Sequence, residues 1–371
     1  MNPIEELLNL PPFGIGPEKK SRIFSKAFQS AFQHHWQNNQ EFRKICQNLG
    51  FTLEKPVNDL AEYPYLPAGL FKNKNLVSVP KKNIKSQLYS SATSGAPSII
   101  HVDHITTRRQ IQASTKVIAE YIGTHRRPFL ILDEDPTLRR SPEITARSAA
   151  TRGFLIFASS AEYFLAEQDN NLTLDKAALI QRLDVCEKKQ IEICIFGFTY
   201  ILYTHLIKPL LKEKYLFTLS GRSKVIHIGG WKKLENQKVS RSKFLKDVGS
   251  ALGIPPSNVL DFYGFTEQMG LVYGSRADEP KSVPLYSEIL IRDFSSLKPS
   301  KDGEIGLVQF LTPVPHSYPG ISILTDDIGR IVRRGKARKD RYGTQFEILG
   351  RAKKAEIRGC GDILGELMEA E

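Results

Sequence analysis

Apolar side chains recur every three or four positions through the first 50 residues, as at Phe24, Phe28, Phe32 and Trp36. In an α-helix this spacing collects the apolar side chains on one face. Gly50 then favours a helix end. The pattern therefore predicts an N-terminal helical segment.

Further along, short apolar runs alternate with longer stretches of helical periodicity. The short runs indicate strands at 129–133, 153–159, 191–196 and 225–228, and the longer stretches indicate helices at 106–121, 144–152, 174–187, 199–214 and 240–252. Thr199 is the expected N-cap of the fourth of these helices. Strands that alternate with helices predict an α/β fold with a largely parallel sheet, whose ligands bind where strands end at one edge.

The pattern changes at about residue 259, after which helical periodicity is almost absent. Strands are predicted at 260–263, 285–292, 304–311 and 321–325. Strands joined by short turns are typical of an antiparallel, barrel-like region. We therefore divide the chain into an N-terminal helical segment (1–60), an α/β core (61–258), a β-rich remainder (259–350) and a short hinge and tail (351–371).

Composition agrees with a folded protein, since 41% of the 371 residues are hydrophobic and 25% are charged. The net charge of +12 suits a nucleic acid, an anionic membrane or a polyanionic substrate, but no nucleic-acid-binding motif accompanies it. The longest uncharged stretch, 193–207, is shorter than the ~20 residues of a membrane-spanning helix. The first residues also lack the pattern of a signal peptide. We therefore expect a soluble, cytoplasmic protein without a membrane span.

A loop rich in hydroxyl side chains lies between two apolar runs, 76–79 and 99–102, which we expect to be strands. Its candidate phosphate-binding residues are Ser90, Ser91, Thr93, Ser94 and Gly95. Small residues let the backbone approach a ligand closely, and hydroxyl and N–H groups can surround phosphate oxygens. The same composition suits a polar hairpin turn, and taken alone it favours that turn.

A second candidate loop, residues 263–267, ends a predicted strand with an aromatic residue, a glycine, a hydroxyl and a carboxylate. Tyr263 could stack on a base, Gly264 allows close approach, and the carboxylate of Glu267 could hold Mg²⁺ against phosphate oxygens. The alternative is an ordinary strand end followed by a helix whose N-cap is Thr266. The loop by itself does not separate these two interpretations.

Two further loops carry charge after predicted strands. Asp326 and Asp327 could accept hydrogen bonds from ribose hydroxyls, or could form a simple Asx turn. Gly350 and Arg351 form a turn that could bring a guanidinium to a ribose or a phosphate. The chain has no Gly-x-x-x-x-Gly-Lys-Ser/Thr loop, no Gly-x-Gly-x-x-Gly fingerprint and no His-Glu-x-x-His helix.

Taken in order and at this spacing, these loops resemble the motifs of the adenylate-forming enzymes, the superfamily of acyl-CoA synthetases and luciferases. The resembling segments are 90–98 (phosphate loop), 229–231 (adenine-side loop), 263–267 (Tyr-Gly-x-Thr-Glu motif), 325–327 (Thr-Gly-Asp motif) and 350–351 (last motif of the large domain). Within that superfamily the chain is similar, over nearly its whole length, to the LuxE-type acyl-protein synthetases. The segments that carry this narrower likeness are Leu66-Pro67 with Leu70-Phe71-Lys72, 195–199, 229–234 and 355–360.

The resemblance implies an enzyme that uses ATP and Mg²⁺ to activate a fatty acid or other carboxylic acid as an acyl-adenylate. It then implies transfer to a thiol of the protein and onward to a reductase-like partner. The implied roles are Gly229 and Gly230 beside the adenine, Tyr263 and Gly264 beside the nucleotide, Asp327 at the ribose, Arg351 at the ribose or a phosphate, Thr266 near the reacting phosphate, Glu267 on the metal, Lys353 as the hinge and Cys360 as the acyl carrier. Lys232 is our candidate for a further catalytic cation.

Three departures from the superfamily pattern accompany this likeness. Ala92 stands where the phosphate loop usually has its first glycine, and Ser98 stands where many members have a lysine that contacts phosphate. The chain also ends about 18 residues after Lys353, which leaves no room for the C-terminal lid with its catalytic lysine. Because short LuxE-type proteins share this brevity, we expect a nearly absent lid to be compatible with activity.

The cysteines give no sign of a metal site, and one of them is a candidate nucleophile. The four cysteines form no Cys-x-x-Cys pair and no zinc spacing, and Cys194 lies in an apolar run typical of inert core. Cys360 lies between two glycines and close to basic side chains, which favours a mobile, reactive thiolate over a plain tail cysteine.

The rival functions are an acyl- or aryl-CoA ligase, a nucleotide-binding scaffold that lacks catalysis and, least favoured, a nucleic-acid-binding protein.

Overall fold

A computed structural model shows the fold of the chain. It describes residues 2–90, 97–135, 144–168, 171–231, 237–338 and 341–352. The α-helices in these ranges are α1 (Pro3–Asn9), α2 (Pro17–Asn38), α3 (Gln40–Asn48), α4 (His104–Ile122), α5 (Ala146–Leu155), α6 (Lys176–Lys188), α7 (Thr199–Ile201), α8 (Lys208–Glu213) and α9 (Arg241–Leu252). No helix in these ranges has both the length and the apolar character needed to cross a bilayer.

The strands of the described ranges form four sheets. They are β1 (Leu66–Pro67), β2 (Ile84–Tyr89), β3 (Ile99–Asp103), β4 (Arg127–Glu134), β5 (Ile144–Thr145), β6 (Ala158–Gln168), β7 (Asn171–Leu174), β8 (Cys194–Phe198), β9 (Lys224–Ile228), β10 (Val259–Tyr263), β11 (Tyr273–Arg276), β12 (Lys281–Ser282), β13 (Glu288–Arg292), β14 (Gly306–Leu311), β15 (Ser322–Arg333), β16 (Lys336–Arg338), β17 (Arg341–Tyr342) and β18 (Gln345–Arg351).

The largest sheet has the strand order β11-β10-β9-β8-β4-β6-β7. Its five central strands pair in parallel, and only the edge strands β11 and β7 run antiparallel. This arrangement confirms the predicted α/β fold. Because parallel strands end at the same edge, the segments that follow β8, β9 and β10 lie side by side.

Burial on the two faces of this sheet explains why its strands are so apolar. Along β4, Phe129 and Ile131 belong to one hydrophobic cluster, which also includes side chains of the N-terminal helices. Leu130 and Leu132 belong to a second cluster on the other face, with side chains of α6 to α9. Successive side chains of a strand point to opposite faces, so a strand covered on both sides has no polar face.

The β-rich region forms the second large sheet. Its strand order is β12-β18-β15-β14-β13, with antiparallel pairing throughout, and β1 joins it in parallel beside β15. The antiparallel prediction for this region is confirmed. A third sheet, β3-β2-β5, holds the strands on either side of the hydroxyl-rich loop.

The strand that precedes the hydroxyl-rich loop was predicted wrongly. It is β2 and not the apolar run 76–79. In that run, Leu76 and Ser78 are buried, but the Ser78 N–H donates to Ser317 O at 2.8 Å, and the run pairs with no strand of the described ranges. Polar side chains at 85–87 conceal β2, because most of that strand is only partly covered.

Another predicted strand also needs correction. The run 153–159 does not form a single strand, because α5 continues to Leu155 and β6 begins at Ala158. Phe154 is buried at the end of the helix and packs against Phe196 and Phe262. A short apolar run does not by itself distinguish a buried helix end from a strand.

Candidate functional site

Three of the predicted nucleotide-binding residues meet where β10 approaches the antiparallel sheet. The Tyr263 hydroxyl at the end of β10 donates to Asp327 Oδ2 at 2.5 Å. Asp327 in β15 is in register with Arg351 at the end of β18, and Arg351 Nε lies 4.0 Å from Asp327 Oδ1. Arg351 Nη2 also lies 3.7 Å from Asp326 Oδ2. The geometry therefore joins residues that are far apart in the sequence.

Asp327 lies inside a strand and not in a turn after one. The predicted strand 321–325 is too short, because β15 runs on to Arg333. The Thr325 hydroxyl donates to Val308 O at 2.9 Å and accepts from the Asp327 N–H at 3.3 Å. These bonds attach the carboxylate-bearing segment to β14. Strand pairing, and not an Asx turn, therefore sets the position of Asp327.

Burial governs the protonation of the Tyr263–Asp327 pair. Burial raises the pKa of Asp327, while the Tyr263 hydroxyl and the charge of Arg351 oppose this rise. Burial, together with the charge of Asp327, raises the pKa of Tyr263 well above its usual value. The Tyr263 phenol therefore stays protonated, and its O–H donates a hydrogen bond to the carboxylate of Asp327. The Tyr263 ring stacks on Phe310 at a centroid distance of 5.5 Å, which fixes its orientation.

The carboxylate of Glu267 lies in a short 3₁₀ turn, Thr266–Gln268, that follows β10. The N-cap of this turn is Phe265, so the interpretation of Thr266 as an N-cap is wrong. Thr266 and Glu267 are both buried, and the Gln268 amide donates to carbonyls of β14 and of Gly320. These contacts hold the turn against the antiparallel sheet.

Glu267 is buried, and polar and positively charged side chains partly compensate for its burial. Burial raises the pKa of Glu267, and the Ser98 hydroxyl, Arg351 and Lys72 act in the opposite direction. Ser98 is only 1% exposed, and its hydroxyl reaches good hydrogen-bond geometry with no described atom. Glu267 is therefore a desolvated carboxylate with incomplete compensation, which is a common property of functional sites.

Gly264 is needed for backbone packing. A side-chain carbon at this position would lie 3.1 Å from Leu271 O, closer than ordinary van der Waals contact. The predicted reason for this glycine was close approach of a ligand. The nearby carbonyl of Leu271 is a further reason for glycine at this position, and the ligand contact stays a prediction.

The adenine-side loop begins where β9 ends, and it is attached to the start of α7. Gly229 has a positive φ of 71°, and its carbonyl accepts from the Thr199 hydroxyl at 2.6 Å. His227 Nδ1 lies 2.9 Å from the same hydroxyl. The predicted N-cap role of Thr199 is wrong, because Phe198 occupies the N-cap position. Gly229 and Gly230 are both exposed at this edge of the sheet.

The base of the phosphate loop is closed by two serines. The Ser90 N–H donates to Ser98 O at 3.0 Å, and the Ser98 N–H donates to Ser90 Oγ at 2.8 Å. Ser90 therefore helps to close the loop. The other predicted residues lie outside the described residues: Ser91, Ala92, Thr93, Ser94 and Gly95 of this loop, Lys232 after the adenine-side loop, and Lys353 and Cys360 of the C-terminal region.

Sequence reasoning missed a buried polar cluster beneath the adenine-side loop. Lys281 Nζ lies 2.8 Å from Asp261 Oδ2, and against the effect of burial Lys281 and His227 lower the pKa of Asp261 to about 2. Burial lowers the pKa of His227 to about 4, so the imidazole is neutral at pH 7. The available signal was a titratable residue inside an apolar strand, at His227 in β9 and Asp261 in β10. The sequence shows these two residues, but it does not identify Lys281 as the partner of Asp261.

The chain is similar to known proteins in both sequence and structure. A family model described as "Acyl-protein synthetase, LuxE" matches residues 3–369. The chain belongs to this family. Its members are ligases by description, so the prediction of an enzyme is confirmed.

Two relatives of this LuxE-family chain carry the same name. The long-chain-fatty-acid--luciferin-component ligase of Vibrio harveyi is 26% identical over 359 residues, which cover 95% of this chain and 90% of the relative. The ligase of that name from Aliivibrio fischeri is 25% identical over 355 residues, with the same two coverages. These relatives match almost the whole length of the chain.

A solved structure confirms the fold class. An open conformation of 2-hydroxyisobutyryl-CoA ligase, in complex with 2-HIB-AMP and CoA, superposes with a TM-score of 0.66 at 15% sequence identity. The match covers 92% of this chain and 76% of that protein. The fold is therefore that of the adenylate-forming ligases.

Proposed function

We propose that this protein uses ATP to activate a fatty acid as an acyl-adenylate and then transfers the acyl group to a protein thiol. The main observation behind this proposal is that Tyr263, Asp327 and Arg351 lie together. The charge of Arg351 also acts on the buried carboxylate of Glu267. Membership of the acyl-protein synthetase family and the names of the two bacterial relatives support the reaction class and the type of acid.

The described residues supply complementary groups for a nucleotide. In the proposal, Asp327 accepts hydrogen bonds from ribose hydroxyls, and Arg351 lies close enough to share that role or to contact a phosphate. Gly229 and Gly230 present exposed backbone where the adenine would lie. Tyr263 supports Asp327 from below through its hydrogen bond. Thr266 faces the reacting phosphate.

Glu267 fits the role of a Mg²⁺ ligand. The described residues contain no cluster of three or more His, Cys, Asp or Glu side chains that could hold a metal. Mg²⁺ commonly binds through one or two carboxylates together with substrate phosphates, and a desolvated carboxylate with incomplete compensation suits that arrangement. When bound, the ion would neutralise charge on the phosphate oxygens.

The first half-reaction joins two anions. A carboxylate oxygen of the fatty acid attacks the α-phosphorus of ATP, the bond from this phosphorus to the bridging oxygen breaks, and pyrophosphate leaves with the electron pair. The protein contributes by holding both reactants in line and by supplying positive charge and N–H groups to the phosphates. The loop closed by Ser90 and Ser98 is the proposed site of the leaving pyrophosphate.

The second half-reaction needs an accessible thiol. A thiolate attacks the carbonyl carbon of the acyl-adenylate, a thioester forms, and AMP leaves with the electron pair of the broken bond. Cys46, Cys186 and Cys194 are all buried, and burial raises the pKa of the Cys194 thiol to about 11. Burial of the described cysteines supports Cys360 as the acyl carrier, from which a reductase-like partner would accept the acyl group.

Acid-dependent exchange of labelled pyrophosphate into ATP tests the first half-reaction. We expect exchange with saturated fatty acids from a panel that also includes short, branched and aromatic carboxylic acids. A second measurement follows label from the fatty acid into the protein, with and without free CoA. Exchange with no acid would contradict the proposal, and discharge of the adenylate by CoA without protein labelling would replace it with a CoA ligase.

A further inference from the structure

Lys72 ends a short helical segment that packs against two strands of the proposed site. It ends a 3₁₀ helix, Ala68–Lys72, that directly follows β1. In β1, Leu66 and Pro67 pair with Ile323 and Leu324 of β15, immediately before the segment that carries Asp327. The short helix therefore starts beside the strand that supplies the proposed ribose contact.

The same helix also lies against the strand that leaves the phosphate loop. It contacts both β15 and β3, and β3 begins at Ile99, the residue after Ser98. Phe71 is buried and meets the Tyr318 ring edge-on at a centroid distance of 6.2 Å. Packing of Phe71 fixes the backbone, while the Lys72 side chain remains exposed.

The positive charge of Lys72 acts on Glu267. Arg351 and, to a smaller extent, Lys72 favour the ionised form of the Glu267 carboxylate. Arg351 already lies near two carboxylates, Asp326 and Asp327. Within the described ranges, the Lys72 ammonium forms no ion pair, whereas Lys74 pairs with Glu41 at 3.6 Å.

An anion bound near Ser98 and Glu267 would receive no positive charge from these two residues. Ser98, which closes the phosphate loop, contributes only a neutral hydroxyl, and Glu267 contributes a negative charge. A triphosphate placed between them would need a cation nearby, because like charges at short range repel in a poorly solvated site. Lys72 can supply that charge, and its flexible stem allows it to follow the phosphates.

We propose that Lys72 is a phosphate-binding residue of the adenylation site and that its ammonium contacts the polyphosphate of ATP beside Glu267. This inference rests on the proposed function for its nucleotide. The contact strengthens as the bond to the leaving pyrophosphate breaks, because negative charge on the leaving group grows at that moment. Lys72 thus contributes to both ATP binding and the first half-reaction.

The test compares Lys72→Ala and Lys72→Arg with Lys74→Ala as the matched control, two positions along the chain. Affinity for ATP and for adenosine is measured by calorimetry, and pyrophosphate exchange gives kcat and KM. We expect Lys72→Ala to weaken ATP binding by about 10-fold or more, which is the effect of losing one contact to a charged group. Adenosine binding should be unchanged, Lys72→Arg should recover part of the loss, and Lys74→Ala should resemble the wild type.

Each outcome distinguishes this inference from the proposed function. If the wild type exchanges pyrophosphate and Lys72→Ala binds ATP equally well, Lys72 is only a surface lysine and the proposed function stands. Equal losses for ATP and adenosine would show a structural role and overturn the inference. If the wild type binds ATP but supports pyrophosphate exchange with no acid, the proposed function is overturned. The phosphate-binding role of Lys72 is then tested by whether Lys72→Ala weakens binding of ATP more than binding of adenosine. If the wild type binds no ATP, both are overturned.

Discussion

The hydrogen bond between Tyr263 and Asp327 gives the sharpest test of the site geometry. Tyr263→Phe removes the phenol oxygen, which lies 2.5 Å from Asp327 Oδ2, and preserves the stacked ring. A hydrogen bond to a charged group contributes about 1.5–3 kcal/mol. The Asp327 side chain remains 20% exposed, so water can replace part of that bond and the lower half of this range applies. Arg351 gives little compensation, since it lies 4.0 Å away and is 65% exposed.

The loss of stability should depend on pH in a defined direction. Burial raises the pKa of Asp327 above its ordinary value of 3.8, and the Tyr263 hydroxyl opposes this shift. Without that hydroxyl the folded-state pKa rises further. The ionised carboxylate then costs more stability at pH 8. This extra cost disappears as the pH falls through the folded-state pKa, and below 3.8 the group is protonated in both states.

Urea unfolding followed by circular dichroism measures this effect at several pH values between 5 and 8. Tyr273→Phe is the matched control, because the Tyr273 hydroxyl lies in the same aromatic cluster but bonds to the neutral Ser287 hydroxyl at 2.6 Å. We expect the control to lose about 0.5–1.5 kcal/mol at every pH. A Tyr263→Phe variant that is no less stable than the control at pH 8, or whose loss grows as the pH falls from 8 to 5, would refute the reasoning.

Three further substitutions test separate parts of the site. Glu267→Gln keeps the volume of a buried side chain but removes a charge that burial disfavours, so stability at pH 7 should not fall. Pyrophosphate exchange should fall about 100-fold or more, because the proposed metal ligand is lost. Exchange at the wild-type rate would exclude the metal-binding role. Cys360→Ser should retain exchange and lose labelling of the protein by fatty acid, and a stable acyl-protein in this variant would exclude Cys360 as the carrier. Lys281→Met leaves Asp261 without the ammonium 2.8 Å away and should cost about 3 kcal/mol at pH 7, the low end for a buried pair because Asp261 is 24% exposed. This loss should shrink as the pH falls from 3.8 towards 2, where wild-type Asp261 also takes up a proton. The exposed pair of Lys188 and Asp184 provides the control, because Lys188→Met should cost less than about 1 kcal/mol in the same unfolding assay.

Predictions from local patterns were accurate where the pattern is long or the chemistry is local. The helix predicted at 106–121 is α4, and the helix predicted at 240–252 is α9, which ends at Gly253 with a positive φ of 65°. These helices have an apolar face of several turns and identifiable cap residues. The errors at 76–79 and 153–159 occurred in short apolar runs, where a few side chains are buried by neighbours that are distant in sequence.

The sequence by itself determined the fold class and the order of the motifs, because alternating periodicity and short motifs are properties of neighbouring residues. It identified Tyr263, Asp327 and Glu267 as candidates without showing that they meet. Only the tertiary structure decided that Tyr263 donates to Asp327, that Asp327 belongs to a strand, and that the short helix ending at Lys72 contacts β3 and β15. These contacts join segments up to about 250 residues apart, and burial sets the protonation of the carboxylates. No local pattern specifies such pairs, since they depend on which strand edges the whole chain brings together.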